Sequence, residues 1–126
     1  MLVLDSGGFT RLSSRSKSAL SLIRSLHSAG LWPPVVPTMV LVESLHGHAA
    51  RDANAIRFVK TCIVHSEVTP AVARRAAELR RRARAGSAFD ALVVVLAEPG
   101  GTVLTGDRAD LEALAAHAHD VTIELI

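Results

Sequence analysis

Four acidic residues, Asp5, Glu43, Asp90 and Asp107, lie where a strand end or a helix start is expected. Each directly follows, directly precedes or closely follows an apolar run of Leu, Val, Met or Ala, so we expect each one near a hydrophobic core, where a charge needs a partner. Carboxylates that share a pocket repel one another, and a hard divalent cation such as Mg²⁺ or Mn²⁺, which prefers oxygen ligands, removes that conflict. The pattern therefore predicts one metal-binding cluster.

The elements that must position these acids alternate between short strands and helices. We predict strands at residues 1–4, 62–64, 102–105 and 121–125, with only a very short strand in the proline-rich segment 32–37. We predict helices at residues 16–29, 38–50, 53–60, 69–84, 87–97 and 107–118, and a turn at residues 5–8. This alternation implies an α/β fold with a parallel sheet, and no linker or repeat divides residues 1–126, so we expect a single domain.

Composition narrows the class of protein. The chain has 126 residues, of which 49% are hydrophobic and 21% charged, as expected for a folded domain. Aromatic residues make up only 3%, so base stacking is not its main way of binding nucleic acid. Cys62 is the only cysteine, which excludes an internal disulfide and any multi-cysteine metal site. No apolar run is long enough to cross a membrane, and we expect a soluble, cytoplasmic protein.

The predicted elements bring the acids toward one place. Asp5 and Asp107 follow strand ends, and in parallel α/β sheets ligands bind beyond the carboxyl ends of the strands. Asp90 falls in the first turn of a buried helix, and Glu43 falls on the helix predicted from residue 38, so both can face the same crevice. A divalent ion held there activates water and neutralises charge on a leaving oxygen, which is the chemistry of phosphodiester hydrolysis.

These acids stand in four segments that resemble, in chain order, the motifs of PIN-domain ribonucleases. The segments are Asp5-Ser6, residues 37–43 (PTMVLVE), residues 90–93 (DALV) and residues 105–111 (TGDRADL). The closest likeness is to the VapC toxins of bacterial toxin-antitoxin pairs, and it covers the chain from end to end.

The resemblance implies a three-layer PIN-like fold with a central, mostly parallel sheet flanked by helices. It also implies an endoribonuclease that depends on Mg²⁺ or Mn²⁺, is often a homodimer, and is silenced by a VapB-type antitoxin that can place a basic side chain in the acidic site. The family's catalytic and metal-binding acids correspond to Asp5, Glu43, Asp90 and Asp107, with Asp110 as a candidate fifth.

Two further positions carry over from the family, and one differs. Ser6 and Thr105 match the family's small hydroxyl residues, which are expected to hold the first and last acids by hydrogen bonds. Gly7-Gly8 stands where a bulkier polar residue is expected, so we expect a more open or flexible wall beside Asp5.

Each acid also has a structural explanation of its own. Asp90 fits a capping box opened by Ser87, and Asp107 fits a helix N-cap. Asp5 fits a turn, and Glu43 fits a solvated helix position. One joint site accounts for all four positions together, and capping and catalysis can coexist.

Other groups are open to more than one interpretation. Glu43 and His46 have the spacing of a di-iron ligand pair, but only one such pair exists, so the histidines are expected at the surface, with His46 or His48 able to contact a substrate phosphate. The arginine-rich segment 74–84 fits a solvated helix face or a phosphate-binding surface.

The alternatives to a ribonuclease are a phosphoacceptor module, a phosphatase and a catalytically inactive PIN-like module that binds RNA or protein.

Overall fold

Five short strands form one parallel sheet, as the sequence predicts. The structure, a computed structural model, describes residues 1–126. The strands in chain order are β1 (Leu2–Leu4), β2 (Val35–Pro37), β3 (Ile63–His65), β4 (Thr102–Thr105) and β5 (Thr122–Leu125). Their order across the sheet is β3-β2-β1-β4-β5, and every neighbouring pair is parallel. The first strand of the chain is therefore the central strand.

Seven helices cover the two faces of this sheet. They are α1 (Ser6–Ser13), α2 (Lys17–Ser28), α3 (Thr38–Ser44), α4 (Ala49–Val59), α5 (Pro70–Ala83), α6 (Ala88–Ala97) and α7 (Ala109–Ala115). Helix α1 packs against α2, α3 and α4, whereas α5, α6 and α7 pack against one another. The chain moves from β1 outward through β2 to β3, and later from β4 outward to β5. Right-handed crossovers in these opposite directions place the two helix groups on opposite faces, which gives three layers consistent with a PIN-like fold.

The core lies around β1, β4 and α6. Leu2, Val3 and Leu4 are each at most 1% exposed, because helices cover both sides of the central strand. The apolar run 91–97 forms the last two turns of α6, and most of its residues are buried. Its hydrophobicity alone fits either a buried strand or a buried helix, and the structure shows the helix.

Helix α5 begins and packs as the sequence predicts. The Thr69 hydroxyl accepts the Val72 N–H at 3.2 Å, and Pro70 takes the first helical position. Ala76 and Leu79 are buried and form the face of α5 that packs on the core. One arginine of this helix has a structural role, since the Arg75 guanidinium donates to both carboxylate oxygens of Glu98, at 2.7 and 3.1 Å.

The turn predicted at residues 5–8 is wrong, because α1 begins at Ser6. Asp5 is the N-cap of this helix, and its Oδ1 accepts the Gly8 N–H at 2.7 Å. The expected open wall beside Asp5 is wrong as well. A Cβ at Gly8 would overlap the backbone carbonyl of Leu104, and a Cβ at Gly7 would come within 2.8 Å of the Gly106 nitrogen. The two glycines allow α1 to lie directly against the end of β4.

Two predicted helix boundaries also differ from the structure. The helix predicted from residue 38 to residue 50 is interrupted after Ser44 by a loop in which Gly47 has φ +75°, and α4 then begins at Ala49. The helix predicted over residues 107–118 covers only Ala109–Ala115, and the residue at its N-cap is Arg108, so the expected N-cap role of Asp107 is wrong.

The contact between α1 and β4 leads to the first prediction. Replacing Gly8 by Ala places a methyl group against the Leu104 carbonyl, and we expect it to lower the free energy of unfolding by about 3 kcal/mol. Urea denaturation followed by far-UV circular dichroism measures this loss. Gly106→Ala is the matched control, since its Cβ would meet only the Gly7 Cα at 3.7 Å, an ordinary contact. Equal stability of the two variants would contradict the predicted close approach.

Candidate functional site

The site lies where the strand order reverses at the carboxyl end of the sheet. The chain leaves β1 toward β2 and leaves β4 toward β5, so the helices that follow these two neighbouring strands diverge and open a crevice between them. Asp5 directly follows β1, and Asp107 lies two residues beyond β4. Both positions agree with the crevice predicted from the sequence.

A pocket occupies this crevice, and we call it the acid pocket. Its lining residues are Asp5, Ser6, Gly7, Asp90, Gly106, Asp107, Asp110 and Leu111. The set includes three of the four predicted acids together with the candidate fifth, Asp110, and it contains no Lys, Arg or His. A polyanion can approach such a pocket only if a cation lies between its phosphates and these carboxylates.

Asp5 is the most firmly held of the acids. Its Oδ1 accepts the Gly8 N–H at 2.7 Å, and its Oδ2 accepts the hydroxyl of Thr105 at 2.5 Å. Burial raises the pKa of Asp5, and the negative charge of Asp90 adds to that effect, while the two hydrogen bonds oppose it. The Asp5 carboxylate is thus fixed in position, although keeping its charge in a partly buried site costs free energy.

Thr105 connects both sides of the crevice. The residue is completely buried at the end of β4, and its hydroxyl oxygen also accepts the Asp107 N–H at 3.0 Å. Thr105 therefore holds the carboxylate of the first acid, Asp5, rather than that of the last, and its bond to Asp107 is through the backbone. The side chain of Ser6 lines the acid pocket, and the hydrogen bond expected from it to an acid is not found.

Asp90 has the capping role and a place in the acid pocket at once. The Ser87 hydroxyl accepts the Asp90 N–H at 3.1 Å, and Asp90 Oδ2 accepts the Ser87 N–H at 2.8 Å, which completes a capping box at the start of α6. The Oδ1 atom makes no hydrogen bond within the protein, so one carboxylate oxygen is available to a ligand.

Glu43 lies beside the acid pocket rather than in it. It lines an adjoining hollow that shares Ser6 and Gly7 with the acid pocket. Partial desolvation of its carboxylate raises the pKa of Glu43, and the charges of Asp90 and Asp5 raise it further. Glu43, Asp90 and Asp5 are therefore close enough to repel one another.

Asp107 and Asp110 are exposed at the opposite side of the acid pocket. Asp107 Oδ1 accepts the Ala109 N–H at 3.3 Å, which is a weak bond at the start of α7. The acids are not drawn into a closed set, since nowhere do three or more His, Cys, Asp or Glu side chains come close enough together to hold a metal ion.

The donor set of the acid pocket fits a hard divalent cation. Carboxylates and hydroxyls supply only oxygen atoms, and neither an imidazole nor a thiolate lines the pocket. Oxygen donors with room for water are what Mg²⁺ and Mn²⁺ require, whereas zinc and copper sites use nitrogen and sulfur. Cys62 is unsuited to metal binding, because burial raises the pKa of its thiol to about 11.

A buried acid that sequence reasoning missed, Asp52, organises the loop beside Glu43. Its carboxylate accepts the backbone N–H groups of His46, Gly47 and His48, at distances of 2.9–3.1 Å. His46 Nδ1 lies 3.3 Å from Asp52 Oδ1, so this contact orients the imidazole. The only sequence signal is an Asp shortly after a His-Gly-His segment, which by itself is typical of many surface loops.

The remaining candidate groups are mostly structural or solvated. Arg75 pairs with Glu98 and Glu78, Arg82 pairs with Glu78, and the other arginines of α5 are exposed. Trp32 stacks on His27 with ring centroids 4.8 Å apart and meets Phe58 edge-on, so the tryptophan is a packing residue.

Comparison with known proteins adds no relative. No protein-family model matches this chain, and no curated protein matches it at a significant level. The longest helix has 14 residues, and none has the length and apolar character needed to cross a membrane.

The role of Asp52 leads to a pH prediction. Hydrogen bonds from the His46, Gly47 and His48 backbone lower the pKa of Asp52, so its ionised form stabilises the fold at pH values above the unfolded-state pKa of about 3.9. That contribution is lost as the pH falls through the lower, folded-state pKa. We expect Asp52→Asn to be less stable than wild type at pH 7, and the difference to shrink below about pH 4.

Urea denaturation at several pH values measures this difference. Glu67→Gln is the control, because Glu67 is exposed and makes no ion pair, and its effect should stay within about 0.5 kcal/mol at every pH. A difference between Asp52→Asn and wild type that is the same at pH 3 and pH 7 would refute the role of the ionised carboxylate.

Proposed function

We propose that this chain is a PIN-like endoribonuclease that hydrolyses RNA phosphodiester bonds with Mg²⁺ or Mn²⁺. The observation that carries the proposal is the acid pocket itself: carboxylates from both sides of the reversal in strand order line a pocket without a single basic side chain. When bound there, the divalent ion supplies the charge that activates water and stabilises the leaving oxygen.

The chain's own residues have distinct roles in this proposal. Asp5 and Asp90 provide carboxylates whose positions are set in advance, by Thr105 and Gly8 in one case and by Ser87 in the other. Asp107 and Asp110 provide exposed carboxylates that can move toward a cation. Glu43, with its raised pKa, completes the cluster or orients the attacking water and takes up its proton.

The proposal extends to a toxin role, as the resemblance to VapC toxins implies. A VapB-type antitoxin that places a basic side chain among these carboxylates would compete with the cation for the acid pocket, and the negative charge of that pocket suits such a partner. We also propose a homodimer, on the resemblance alone.

The activity is tested with Asp90→Asn. Asparagine keeps an oxygen that can accept the Ser87 N–H, so we expect the capping box and the fold to survive, whereas a charged ligand is lost. Loss of several kcal/mol of transition-state stabilisation corresponds to a rate loss of about 100-fold or more. The measurement is cleavage of a mixed panel of RNAs in Mg²⁺ or Mn²⁺ by the purified chain freed of any partner.

Two controls complete this experiment. EDTA should abolish cleavage by the wild-type chain, and Glu112→Gln, which removes an exposed acid outside the acid pocket, should leave cleavage unchanged. Absence of cleavage of every RNA, together with no divalent-ion binding that Asp90→Asn removes, would reject the nuclease and favour a PIN-like module that only binds RNA or protein.

A separate prediction concerns Thr105. Replacing Thr105 by Val keeps its shape in the core but removes the hydroxyl that donates to Asp5, and we expect Mn²⁺ affinity to fall by about 10-fold. Isothermal titration calorimetry measures this change, and Thr105→Ser, which keeps the hydroxyl, should bind Mn²⁺ nearly as wild type does. Equal affinity of the Val and Ser variants would contradict a role for this hydrogen bond.

A further inference from the structure

Two further hollows lie beside the acid pocket, next to α1 and α4. The hollow that contains Glu43 shares Ser6 and Gly7 with the acid pocket, and it shares Thr10, Ser44 and His46 with a third hollow beside α4. Because neighbouring hollows have lining residues in common, each of the three adjoins the next. We call the two hollows outside the acid pocket the side groove.

Most residues that line the side groove have polar side chains. None of the residues around the Glu43 hollow is hydrophobic, and only Phe9 and Ala55 are hydrophobic in the hollow beside α4. Thr10 and Ser44 contribute hydroxyls, whereas the Ser13 and Ser14 hydroxyls already donate to the Thr10 and Arg11 carbonyls and can only accept from a ligand. Hydroxyls bind phosphate oxygens and ribose hydroxyls, and the ring of Phe9 is too deeply buried to stack on a base.

Two cations of the side groove have no anionic partner. Arg11 lines the hollow with Glu43 and Arg51 lines the hollow beside α4, yet neither forms an ion pair within the protein. The Arg11 side chain donates only to the Ser18 hydroxyl, at 3.0 Å. The one acid beside Arg51, Asp52, already accepts three backbone N–H groups. These guanidinium groups are therefore free to bind phosphate.

A further sign of a ligand is the Ser44 hydroxyl. Its oxygen is buried in the wall common to both hollows and is the one buried side-chain oxygen or nitrogen of the chain that lacks a hydrogen-bond partner. An unsatisfied buried hydroxyl costs free energy unless a ligand or water completes its bonding. His46, oriented by Asp52, stands in the same wall with its ring exposed.

We propose that the side groove binds the ribose-phosphate backbone of single-stranded RNA on one side of the scissile phosphate. Arg11 and Arg51 contact phosphates, and the hydroxyl residues contact phosphate oxygens and 2′-hydroxyls. The inference rests on the proposed function for its direction, since the acid pocket marks where the strand is cut. The proposal places the RNA strand in the side groove rather than against the arginines of α5.

The test is RNA binding by the Asp90→Asn chain without divalent ions, so that no cleavage is needed. Fluorescence anisotropy with a short, unstructured, labelled RNA at several salt concentrations gives the dissociation constant and its salt dependence. We expect Arg51→Ala and Arg11→Ala each to weaken binding about fivefold and to reduce the slope of log K against log salt by about 0.7, the effect of one lost phosphate contact. We expect DNA of the same sequence to bind more weakly than RNA.

Arg24→Ala is the control, because Arg24 is also exposed and makes no ion pair, but lies on α2 and lines none of the three hollows. It should leave both quantities unchanged. Equal weakening by Arg24→Ala and Arg51→Ala, or weakening only by Arg81→Ala on α5, would overturn the side groove. If RNA binding depends on Arg11 and Arg51 but the protein cleaves no RNA, the nuclease proposal is rejected and the side groove is kept. If the Arg11 and Arg51 variants cleave RNA with the wild-type KM, RNA binding by the side groove is rejected and the nuclease proposal is kept.

Discussion

The close approach of α1 to the end of β4 is the constraint on which the rest of the structure depends. Gly8 lies so near the Leu104 carbonyl that no side chain fits between them, and the Asp5 N–H donates to that same carbonyl at 3.3 Å. Thr105, the next residue of β4, then reaches the Asp5 carboxylate. One junction thus joins the central strands, fixes the direction of α1 and sets the first carboxylate of the acid pocket.

Bringing carboxylates together in the acid pocket costs free energy, and the hydrogen bonds that neighbouring residues donate to them reduce this cost. Asp5 is held by two hydrogen bonds and Asp90 belongs to a capping box, so the same contacts that stabilise helix starts also fix carboxylates that repel each other. Desolvation raises the pKa of Asp5 and of Glu43, and the charges of the neighbouring carboxylates raise both further. Local electrostatic strain kept in place by surrounding packing is typical of sites that act on a ligand.

Much of the fold could be predicted from local patterns. Strand-helix alternation gave the parallel sheet, and Thr69-Pro70 and Ser87 marked helix starts correctly, because caps and apolar periodicity are local properties. The helix at Ser6 was missed because Asp-Ser-Gly-Gly has turn composition, while the reason for its glycines is Leu104, which is far away in sequence.

The site was predictable to a similar extent. Asp5, Asp90 and Asp107 can be predicted to share a pocket because strand ends and helix starts are visible in the sequence, whereas Glu43, predicted to face the same crevice, lines an adjoining hollow instead. The role of Asp52 could not be predicted, since it depends on three backbone N–H groups of a loop whose shape no sequence pattern specifies. The position of the side groove beside the acid pocket depends on how α1, α3 and α4 pack, which is likewise a tertiary property.

The order of the elements along the chain has a consequence for biosynthesis. Asp5 and Thr105 are 100 residues apart, so the contact that fixes the first carboxylate closes a very long loop. At a synthesis rate of about 5–20 residues per second, a nascent chain carries Asp5 for roughly 5–20 s before Thr105 exists. Until then β1 lacks its β4 neighbour, and the acid pocket lacks one of its sides. The acid pocket therefore cannot form before residues 102–107 have been synthesised, and a product truncated before residue 102 cannot assemble it.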